Sequence, residues 1–439
     1  MVEPRRVRLA GGATPAAEGD RLAAAGRLEE ALAAYQAALT QTPDNPEVRS
    51  NLGNVLLGLG RTGEALAAYQ AVLAMGFDHP LVCYNMGTAL RALGRPEEAL
   101  PAFEAALVRA PGFAPAHNNR GNALRDLGRQ AEAALAYLEA LALRPGDAGT
   151  RVNLSSALSL LHEQDAAGAE TAAGLARRWR TAHPDDPMAR HVAAAMAGGP
   201  PPPRAEDGYV RQLFDGFAAG FDRRLATLDY RVPGLVAATL ARLWPQPTSG
   251  LATSGLATSG LAVLDAGCGT GLAAAMLRPY ARTLTGVDLS PEMLELARQR
   301  GLYDALETAE LTGFLAGHPE AFDLIVAADV LCYFGELGPV LRAAAAALGP
   351  GGRLIFTVEL DPRPEAPPFT LQPNGRYRQT PSAVMAALTA AGLAAPPPAS
   401  VILRRENGRD VAGGLVEAGR RPVPDGPSRP EIADGRPTG

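Results

Sequence analysis

A repeat of 34 residues runs through the first third of this 439-residue chain and constrains its fold more than any other feature. In each unit the dipeptide Gly-Arg is followed, five residues after the glycine, by alanine and, nine residues after it, by an aromatic residue. The glycines are Gly26, Gly60, Gly94 and Gly128, and the aromatic residues are Tyr35, Tyr69, Phe103 and Tyr137. A second series with the same period is Gly19, Gly53, Gly87 and Gly121. Units of this length cannot bury a hydrophobic face alone, so the repeat predicts a stacked array.

The spacing of small, aromatic and proline residues indicates that each unit is a pair of antiparallel helices. Small residues allow close approach, the aromatic residue fills the gap, and a proline ends the second helix. The pattern, over roughly residues 13–161, resembles the tetratricopeptide repeat family. Asp165–Ala182 has lost the Gly-Arg dipeptide and is interpreted as a degenerate capping helix. We therefore expect an all-α solenoid over residues 13–197, preceded by a disordered tail over residues 1–12.

Four asparagines share the 34-residue period and are candidate partner-binding residues: Asn51, Asn85, Asn119 and Asn153. In tetratricopeptide repeats this position faces the concave groove, and it resembles the asparagine ladder of O-linked N-acetylglucosamine transferase. An amide both donates and accepts, so such a ladder pairs with a peptide backbone of any sequence. The resemblance implies a peptide or protein partner in the groove. The alternative is that the asparagines cap or bridge adjacent repeats.

Two segments of biased composition mark boundaries. Gly198–Pro203 consists of glycine and proline, which predicts a stiff linker over residues 198–206. Thr248–Ala262 repeats a five-residue unit three times and is interpreted as a surface-loop insert without a function. The second domain is expected over residues 207–419, followed by a disordered tail over residues 420–439.

A glycine-rich turn carries the strongest functional signal. The apolar run that begins at Val263 leads into Asp265-Ala-Gly-Cys-Gly-Thr-Gly271, and a helical run follows. A second short strand ends at Asp288, and Ser290 is placed to cap the next helix. Strand, glycine-rich turn and helix start are typical of a Rossmann-like nucleotide-binding unit.

The glycine spacing separates two classes of cofactor. Dinucleotide sites usually read G-x-G-x-x-G, whereas this turn reads G-x-G-x-G with an acid two residues before its first glycine. It resembles motif I of the class I methyltransferases, which use S-adenosyl-L-methionine. The resemblance implies that Asp265 suits the cationic methionine end, that Asp288 accepts hydrogen bonds from both ribose hydroxyls, and that Glu310 contacts the adenine. The implied cofactor-binding set is Asp265, Gly267, Cys268, Gly269, Gly271, Asp288, Leu289, Glu310 and Asp329.

The later strand signals agree with that family. Phe322–Asp329 and Gly351–Glu359 are predicted as the fourth and fifth strands, and Asn407-Gly408 is typical of a hairpin turn. A closing antiparallel hairpin distinguishes the methyltransferase sheet from the ordinary dinucleotide fold. We therefore expect an α/β Rossmann-like class I methyltransferase domain with a seven-stranded sheet.

The match is closest to predicted bacterial methyltransferases with N-terminal tetratricopeptide repeats. It rests on Phe214–Asp222, on Leu228–Pro233 and on Gly375–Thr380, where Gln379 stands in place of the family's histidine. Phe214, Phe217 and Phe221 form a helical stripe, which indicates either simple packing or a lid over the cofactor. If the missing histidine acts as a base or contacts substrate in the family, its loss puts the activity or the substrate in doubt.

Candidate catalytic residues follow the fourth strand. Asp329 is interpreted as a general base or as a structural residue, and Tyr333 as a wall of the substrate pocket. Arg376 and Tyr377 lie farther along the chain as further candidates. Methyl transfer from a sulfonium needs mainly alignment of the acceptor, with a base only where the acceptor must lose a proton.

Composition excludes several other functions. The chain has no lysine, which excludes a Schiff-base lysine and a Walker-type phosphate loop. A net charge of −5 gives no support for nucleic-acid binding. Because the three cysteines are far apart and the C-terminal half has few histidines, no metal site is expected. No apolar run is long enough to predict a membrane span. A cytoplasmic location is the expectation.

Three functions remain open at this point. The first is an active S-adenosylmethionine-dependent methyltransferase whose repeats recruit a peptide or protein. The second is a catalytically inactive repeat scaffold with a degenerate methyltransferase-like domain, and the third is a nicotinamide-dependent oxidoreductase. The sequence leaves open whether the methyl acceptor is a small molecule or a protein.

Overall fold

A computed structural model describes residues 14–245, 260–363, 365–406 and 408–420. The predicted tails lie outside these ranges, except for Arg420, which ends the last strand. Residues 248–259 of the predicted insert also lie outside them, whereas Leu261 and Ala262 begin the first strand. The chain divides into two compact units, Met1–Ala197 and Gly198–Gly439, each of which is described by itself.

The described part of the first unit is built from antiparallel helix pairs. Its helices are α1 (Pro15–Ala24), α2 (Leu28–Gln41), α3 (Pro46–Gly58), α4 (Thr62–Ala74), α5 (Pro80–Ala92), α6 (Pro96–Arg109), α7 (Ala114–Asp126), α8 (Gln130–Leu143), α9 (Ala148–His162), α10 (Ala166–Ala182) and α11 (Pro187–Met196). The Gly-Arg dipeptides lie between the two helices of a pair, where the glycines have φ of +72° to +75°. This left-handed conformation favours glycine, which explains its recurrence at the turn.

The second glycine series lets the two helices of each pair touch. A Cβ atom on Gly19 would lie 2.6 Å from the ring of Tyr35, and one on Gly53 would lie 2.7 Å from Tyr69. Cβ atoms on Gly87 and Gly121 would likewise lie 2.8 and 2.6 Å from the rings of Phe103 and Tyr137. The predicted packing of small against aromatic residues is therefore confirmed, and the all-α array with it.

The predicted capping helix is the second helix of a fifth pair. Asp165 accepts a hydrogen bond from Gly168 N and so begins α10, which packs against α9. The next helix, α11, packs on α10, with Asp186 as its N-cap. The sequence did not predict this pair because it lacks the Gly-Arg dipeptide. The helices pack nevertheless, since helix packing depends on buried apolar faces more than on the turn.

The second unit is a twisted α/β sheet with helices. Its strands are β1 (Leu261–Ala266), β2 (Ala281–Asp288), β3 (Ala305–Thr308), β4 (Phe322–Ala327), β5 (Leu348–Leu360), β6 (Phe369–Leu371), β7 (Tyr377–Gln379), β8 (Leu393–Ala394), β9 (Ala399–Glu406) and β10 (Arg409–Arg420). Its α-helices are α12 (Asp207–Phe217), α13 (Phe221–Thr227), α14 (Val232–Leu243), α15 (Ala274–Leu277), α16 (Pro291–Gln299), α17 (Leu311–Ala316), α18 (Gly338–Ala347) and α19 (Pro381–Ala390).

The sheet order is β3-β2-β1-β4-β5-β10-β8. The first five strands of this order are parallel, whereas β10 is antiparallel to β5 and forms the predicted hairpin with β9. The expected seven-position path is present, but within the described residues the sheet has ten strands. The difference arises because β8 and β9 share the edge beside β10, and because β6 and β7 add a ribbon beyond β5. Parallel pairing places the carboxyl ends of β1, β2, β3 and β4 at one edge.

A buried hydrophobic cluster packs α14 against the sheet. It joins Val232, Val236 and Leu240 of α14 to apolar side chains of the central strands. The period of these three residues is that of one helix face, and burial of apolar surface stabilises their packing on the sheet.

Part of the predicted linker packs against the second unit. The carbonyl of Pro203 accepts hydrogen bonds from Gly335 N at 2.9 Å and Glu336 N at 2.7 Å, and Ala205 N donates to Tyr333 O at 2.9 Å. Proline cannot continue a helix, but its carbonyl remains a good acceptor, which is why this segment pairs with a neighbouring loop. Residues 203–206 therefore form part of the α/β unit and do not act as a free connector.

Candidate active site

The glycine-rich turn closes the carboxyl end of β1. Gly267 N and Cys268 N both donate to Val287 O, at 2.8 and 3.0 Å, which ties the turn to β2. Gly267 has φ of +70°, and a Cβ there would lie 2.4 Å from Val330 Cγ2. Gly269 has φ of +53°, and a Cβ there would meet no described atom within 4 Å. The turn therefore requires glycine at its base and leaves bare backbone at Gly269.

Asp288 ends β2 with both carboxylate oxygens fixed. Gly269 N donates to its Oδ2 at 2.9 Å, and Ser290 N donates to its Oδ1 at 2.9 Å. Burial raises the pKa of Asp288, although these backbone N–H groups oppose the rise. Each carboxylate oxygen has a second lone-pair direction, so both can accept a further hydrogen bond. Ser290 caps α16 as predicted, since its Oγ accepts from Met293 N at 3.1 Å.

Asp265 is a buried acid beneath the turn. Its Oδ2 accepts a hydrogen bond from Tyr303 Oη at 2.6 Å, and burial raises the pKa of its carboxyl to about 7. A neighbouring cation favours the ionised form of such a carboxyl. Its place is thus consistent with the predicted cationic end of a ligand.

Glu310 begins α17 after the short third strand, where the sequence predicts it. Its Oε2 accepts from Gly313 N at 2.7 Å, so the side chain caps the helix. Burial opposes ionisation of Glu310, but the backbone N–H groups of Gly313 and Thr312 hold its pKa below the ordinary value. Its buried Oε1 accepts no hydrogen bond from any described residue, although Arg204 Nη1 lies 3.5 Å away. A buried acceptor of this kind favours a donor from a ligand.

One cavity brings these residues together with the end of β4. Among the predicted residues, its lining includes Asp265, Gly267, Cys268, Gly269, Asp288, Leu289, Glu310, Asp329 and Tyr333. Gly271 is not part of this lining. A Cβ on Gly271 would lie 3.0 Å from the ring of Tyr303 and 3.2 Å from Arg300 Cδ, so this glycine permits close packing, and its contact with the cofactor stays a prediction.

The residues present fit the cofactor that the turn predicts. Bare backbone at Gly269, the fixed carboxylate of Asp288 and the unpaired Oε1 of Glu310 all border the same cavity. They offer a surface for close approach, two acceptors for vicinal hydroxyls and one acceptor for an amino group.

Helices α12 and α13 cover this cavity and are bonded to its loops. Thr270 Oγ1 donates to Asp222 Oδ1 at 2.7 Å, and Ser290 Oγ donates to Asp215 Oδ1 at 2.5 Å. Phe214 and Phe221 line the cavity, whereas Phe217 does not. The lid interpretation of this segment is thereby favoured over simple packing.

Asp329 is held by arginine and is a poor candidate for a general base. Arg376 Nη1 lies 3.1 Å from its Oδ1 and 3.0 Å from its Oδ2. Although burial opposes ionisation, the charges of Arg376 and Arg404 hold the pKa of Asp329 below its ordinary value. A carboxylate with a lowered pKa that is paired on both oxygens accepts a proton poorly, so the structural interpretation of Asp329 replaces the catalytic one.

Tyr333 is a wall of the cavity, as predicted. Its ring meets that of Phe214 edge to face at 5.7 Å, and the Arg376 guanidinium carbon lies 5.7 Å from its centroid. Burial raises the pKa of Tyr333 well above its ordinary value, so the phenol stays protonated. Tyr230 lines the same cavity. It belongs to the segment Leu228–Pro233 that carries the family resemblance, but the sequence assigned its side chain no role in the site.

Glu359 and Arg404, also missed, form a buried charge network behind Asp329. Arg404 Nη2 donates to Glu359 Oε1 at 2.6 Å, and Arg404 Nη1 lies 3.6 Å from Asp329 Oδ1. Arg376 Nη1 also donates to Glu359 Oε1, at 3.3 Å. Asp329 follows β4, Glu359 lies on β5, Arg376 precedes β7 and Arg404 lies on β9, so no local pattern could reveal the network.

Gln379 and Tyr377 lie outside the cavity lining. The Nε2 of Gln379 donates to Phe334 O at 2.8 Å and to Gly335 O at 3.0 Å, and Tyr377 Oη donates to Pro202 O at 3.0 Å. Both side chains are buried and fix loops. The replacement at Gln379 therefore changes a loop contact and removes no group from the site.

The repeated asparagines are used between the repeats. Asn51 and Asn85 are 7% and 4% exposed. The Nδ2 of Asn51 donates to Asp20 Oδ1 at 3.1 Å, and the Nδ2 of Asn85 donates to Asn54 Oδ1 at 2.7 Å. Each pair joins one repeat to the repeat before it.

The other two asparagines make similar contacts. Asn119 is 6% exposed and donates to Tyr84 Oη at 3.0 Å. Asn153 donates to Asn118 Oδ1 at 3.1 Å and accepts from Arg125 Nη1 at 3.1 Å. These contacts agree with the alternative that the asparagines bridge adjacent repeats. Asn51 Oδ1 accepts no hydrogen bond from a described residue, so the peptide-binding ladder stays a prediction.

Comparison with known proteins agrees with both units. A family model described as a methyltransferase domain matches residues 264–354. Models described as TPR or tetratricopeptide repeats match residues 19–60, 47–81 and 84–148.

Curated relatives match part of the chain. Methyltransferase-like protein 27 of Homo sapiens is 37% identical over 121 residues, 27% of this chain and 45% of the relative. Ubiquinone biosynthesis O-methyltransferase of Xylella fastidiosa is 35% identical over 99 residues, 22% of this chain and 40% of the relative. The chain thus spans less than half the length of these relatives. A solved S-adenosylmethionine-dependent methyltransferase from Mesorhizobium loti is 23% identical, with 37% of this chain and 93% of that chain covered and a TM-score of 0.31.

The sheet, its closing hairpin and the glycine-rich turn define a Rossmann-like domain of the methyltransferase class. The chain carries tetratricopeptide repeats followed by this methyltransferase domain, as the sequence predicts. The match to the methyltransferase-domain model agrees with S-adenosylmethionine as the cofactor. In the described residues, no helix is long and apolar enough to cross a membrane, and no cluster of histidine, cysteine and acidic residues could hold a metal ion.

Proposed function

We propose that this chain is an S-adenosylmethionine-dependent methyltransferase and that its repeats bind a protein or peptide partner. The observation that carries the proposal is the fixed carboxylate of Asp288 beside the bare backbone of Gly269. Both oxygens of Asp288 are oriented by backbone N–H groups at 2.9 Å, and both keep a lone pair for a ribose hydroxyl.

The residues of the cavity would position the reactants and exclude water. The bound cofactor would supply an activated methyl group on its sulfonium. The carboxylates of Asp288 and Glu310 would orient the nucleoside, and Asp265 would stabilise the positive charge at the methionine end. Helices α12 and α13 would keep water from the acceptor, and alignment of this kind contributes roughly 7–11 kcal/mol to barrier reduction in well-oriented systems.

The two competing functions lose support. An inactive scaffold was suggested by Gln379, but that side chain lies outside the cavity lining and holds a loop. A nicotinamide oxidoreductase would favour G-x-G-x-x-G and a sheet without the antiparallel β10, neither of which is found in the described residues.

Calorimetric titration with S-adenosylhomocysteine tests the proposal. We expect micromolar binding, and we expect Asp288→Ala to weaken it by at least about tenfold because hydrogen bonds to a charged group are lost. Asp410→Ala is the matched control, since Asp410 is an exposed residue of β10 away from the cavity. Failure of S-adenosylhomocysteine to bind, or stronger binding of NAD, would reject the proposal.

The partner of the repeats is proposed on the nature of the repeats alone. Each recurrent asparagine bonds a neighbouring repeat, so partner recognition would use their remaining donors and acceptors together with other residues of the array. Crosslinking followed by mass spectrometry of the full chain in its native host is the direct test. Crosslinks confined to α12–α19 would contradict a recruiting role for the repeats.

A further inference from the structure

A guanidinium with unused donors borders the cavity. Arg376 lines it and is 19% exposed, and its three side-chain hydrogen bonds to described residues all leave from Nη1. Nη2 and Nε donate to none of the described residues. Arginine presents its donors in a rigid fork, so the remaining edge is suited to an oxygen of a ligand.

The network behind Arg376 fixes the direction of this edge. Asp329 accepts through both oxygens from Nη1, and Glu359 accepts from the same nitrogen at 3.3 Å. Arg404 then binds Glu359 from the other side at 2.6 Å. Because these partners engage a single nitrogen, they orient the guanidinium and leave its other donors without an acceptor among the described residues.

An aromatic wall continues from this guanidinium. Its carbon lies 5.7 Å from the centre of the Tyr333 ring, which meets Phe214 at 5.7 Å, and Phe214 meets Phe221 at 5.9 Å. Aromatic side chains favour apolar and planar ligands through stacking and edge contacts. Arg204, the other arginine of the lining, is 40% exposed and pairs with Asp207 instead.

We propose that Arg376 binds the methyl acceptor and that the acceptor is a small, planar, apolar molecule bearing an oxyanion, such as a carboxylate or an acidic phenolate. This inference rests on the proposed methyltransferase function. Asp329 is bonded to Arg376 through both oxygens, so it does not serve the acceptor as a base, and an acceptor that arrives ionised needs none.

The reaction that follows is balanced without a proton. A lone pair of the acceptor oxygen forms the bond to the methyl carbon while the carbon–sulfur bond breaks and its electron pair stays on sulfur. The negative charge of the oxyanion and the positive charge of the sulfonium disappear together. Arg376 therefore holds the oxygen while its charge decreases, which favours release of the neutral product.

Benzoate and benzamide are a matched pair of probes for this site. They share a planar ring and differ in charge, and calorimetry of both is performed on the full chain with and without saturating S-adenosylhomocysteine. We expect benzoate to bind at least about tenfold more tightly than benzamide, since a charge-assisted bond distinguishes them. Equal binding of the two, or no benzoate binding at up to about 10 mM, would overturn the inference.

Arg376→Gln should reduce this preference to within about twofold, whereas Arg298→Gln should preserve it. Arg298 is a suitable control because it is an exposed arginine of α16, pairs with Glu295 and lies outside the cavity lining. If Arg376→Gln fails to fold, the affinities of benzoate and benzamide for the native chain still test whether the cavity prefers an oxyanion. An equal loss of S-adenosylhomocysteine and benzoate affinity in Arg376→Gln would assign Arg376 to the cofactor instead.

The two proposals fail in different ways. Absence of S-adenosylhomocysteine binding rejects the methyltransferase proposal, while the benzoate preference without that ligand still tests the oxyanion site. Normal S-adenosylhomocysteine binding with no benzoate preference rejects only the acceptor assignment.

Discussion

Thr270 donates a hydrogen bond from Oγ1 to Asp222 Oδ1 at 2.7 Å and so joins the glycine-rich turn to α13. The opposite oxygen of Asp222 accepts from Arg300 Nη2 at 2.5 Å, and Arg300 Nε donates to Thr270 O at 2.5 Å. The three residues form a closed triangle. A lid that is bonded in this way to the turn responds to what the turn binds.

Loss of the Thr270 hydroxyl should therefore weaken the hold of the lid on the ligand. Thr270→Val keeps the side-chain shape, and we expect the affinity for S-adenosylhomocysteine to fall about two- to twelvefold, which corresponds to about 0.5–1.5 kcal/mol for one hydrogen bond. Stopped-flow displacement should locate the change in a faster dissociation rate. Thr283→Val on the exposed side of β2 is the control. Equal rates for both variants would show that the bond does not couple lid and ligand.

The bare backbone at Gly269 supports a second prediction. Gly269→Ala adds a methyl group that meets no protein atom within 4 Å but lies at the cavity wall. We expect at least about a tenfold loss of S-adenosylhomocysteine affinity, because the ligand must lie against this backbone. Gly392→Ala carries the same left-handed strain in open space, with φ of +75°. Native affinity in both alanine variants would contradict the close approach of the ligand to the backbone of Gly269.

In the repeats, two glycines of adjacent helices should respond to alanine in opposite ways. A Cβ on Gly53 would lie 2.7 Å from Tyr69 Cε1, so Gly53→Ala should lower the free energy of unfolding by about 1–3 kcal/mol through overpacking. Gly63 in α4 faces open space, and Gly63→Ala should raise it by up to about 1 kcal/mol through helix propensity. Urea unfolding followed by circular dichroism measures both. Changes of the same sign would contradict the packing argument.

Features set by local sequence were predictable, and features set by distant contacts were not. The turn at Gly267, the cap at Ser290 and the position of Asp288 follow from backbone conformations that only a few residue types adopt. The partners of Asn51 and Asn85 lie 31 residues away in the preceding repeat, so periodicity identified the residues without showing what they bond.

The same distinction explains the acceptor end of the cavity. Arg376 lies 47 residues from Asp329 and 17 from Glu359, and these residues meet only because β4, β5 and the segment before β7 converge. The ribbon of β6 and β7 was missed because each strand has three residues, too few for an alternating pattern. The sequence thus named Asp329 and Arg376 as candidates, but only the three-dimensional contacts show that they bond each other and that Arg376 also bonds Glu359.

The buried carboxyl of Asp265 predicts a dependence of stability on pH. Its ordinary pKa is 3.8 and burial raises the folded value to about 7, so between these values the folded chain holds a proton that the unfolded chain has released. The contribution of Asp265 to the free energy of unfolding therefore decreases as pH rises through this window, by up to about 1.4 kcal/mol per pH unit, and is constant above it. Asp265→Asn removes the titrating group.

The difference in unfolding free energy between Asp265→Asn and the native chain should therefore rise from about pH 5 to about pH 7 and then level off. Urea unfolding at several pH values measures it, with the exposed Asp410→Asn as the control whose difference stays flat. A ligand with a positive charge beside Asp265 favours the ionised carboxyl, so S-adenosylhomocysteine, through its ammonium group, should bind more tightly as pH rises over the same window. Parallel pH profiles for Asp265→Asn and the native chain would contradict a raised pKa of Asp265 in the folded chain.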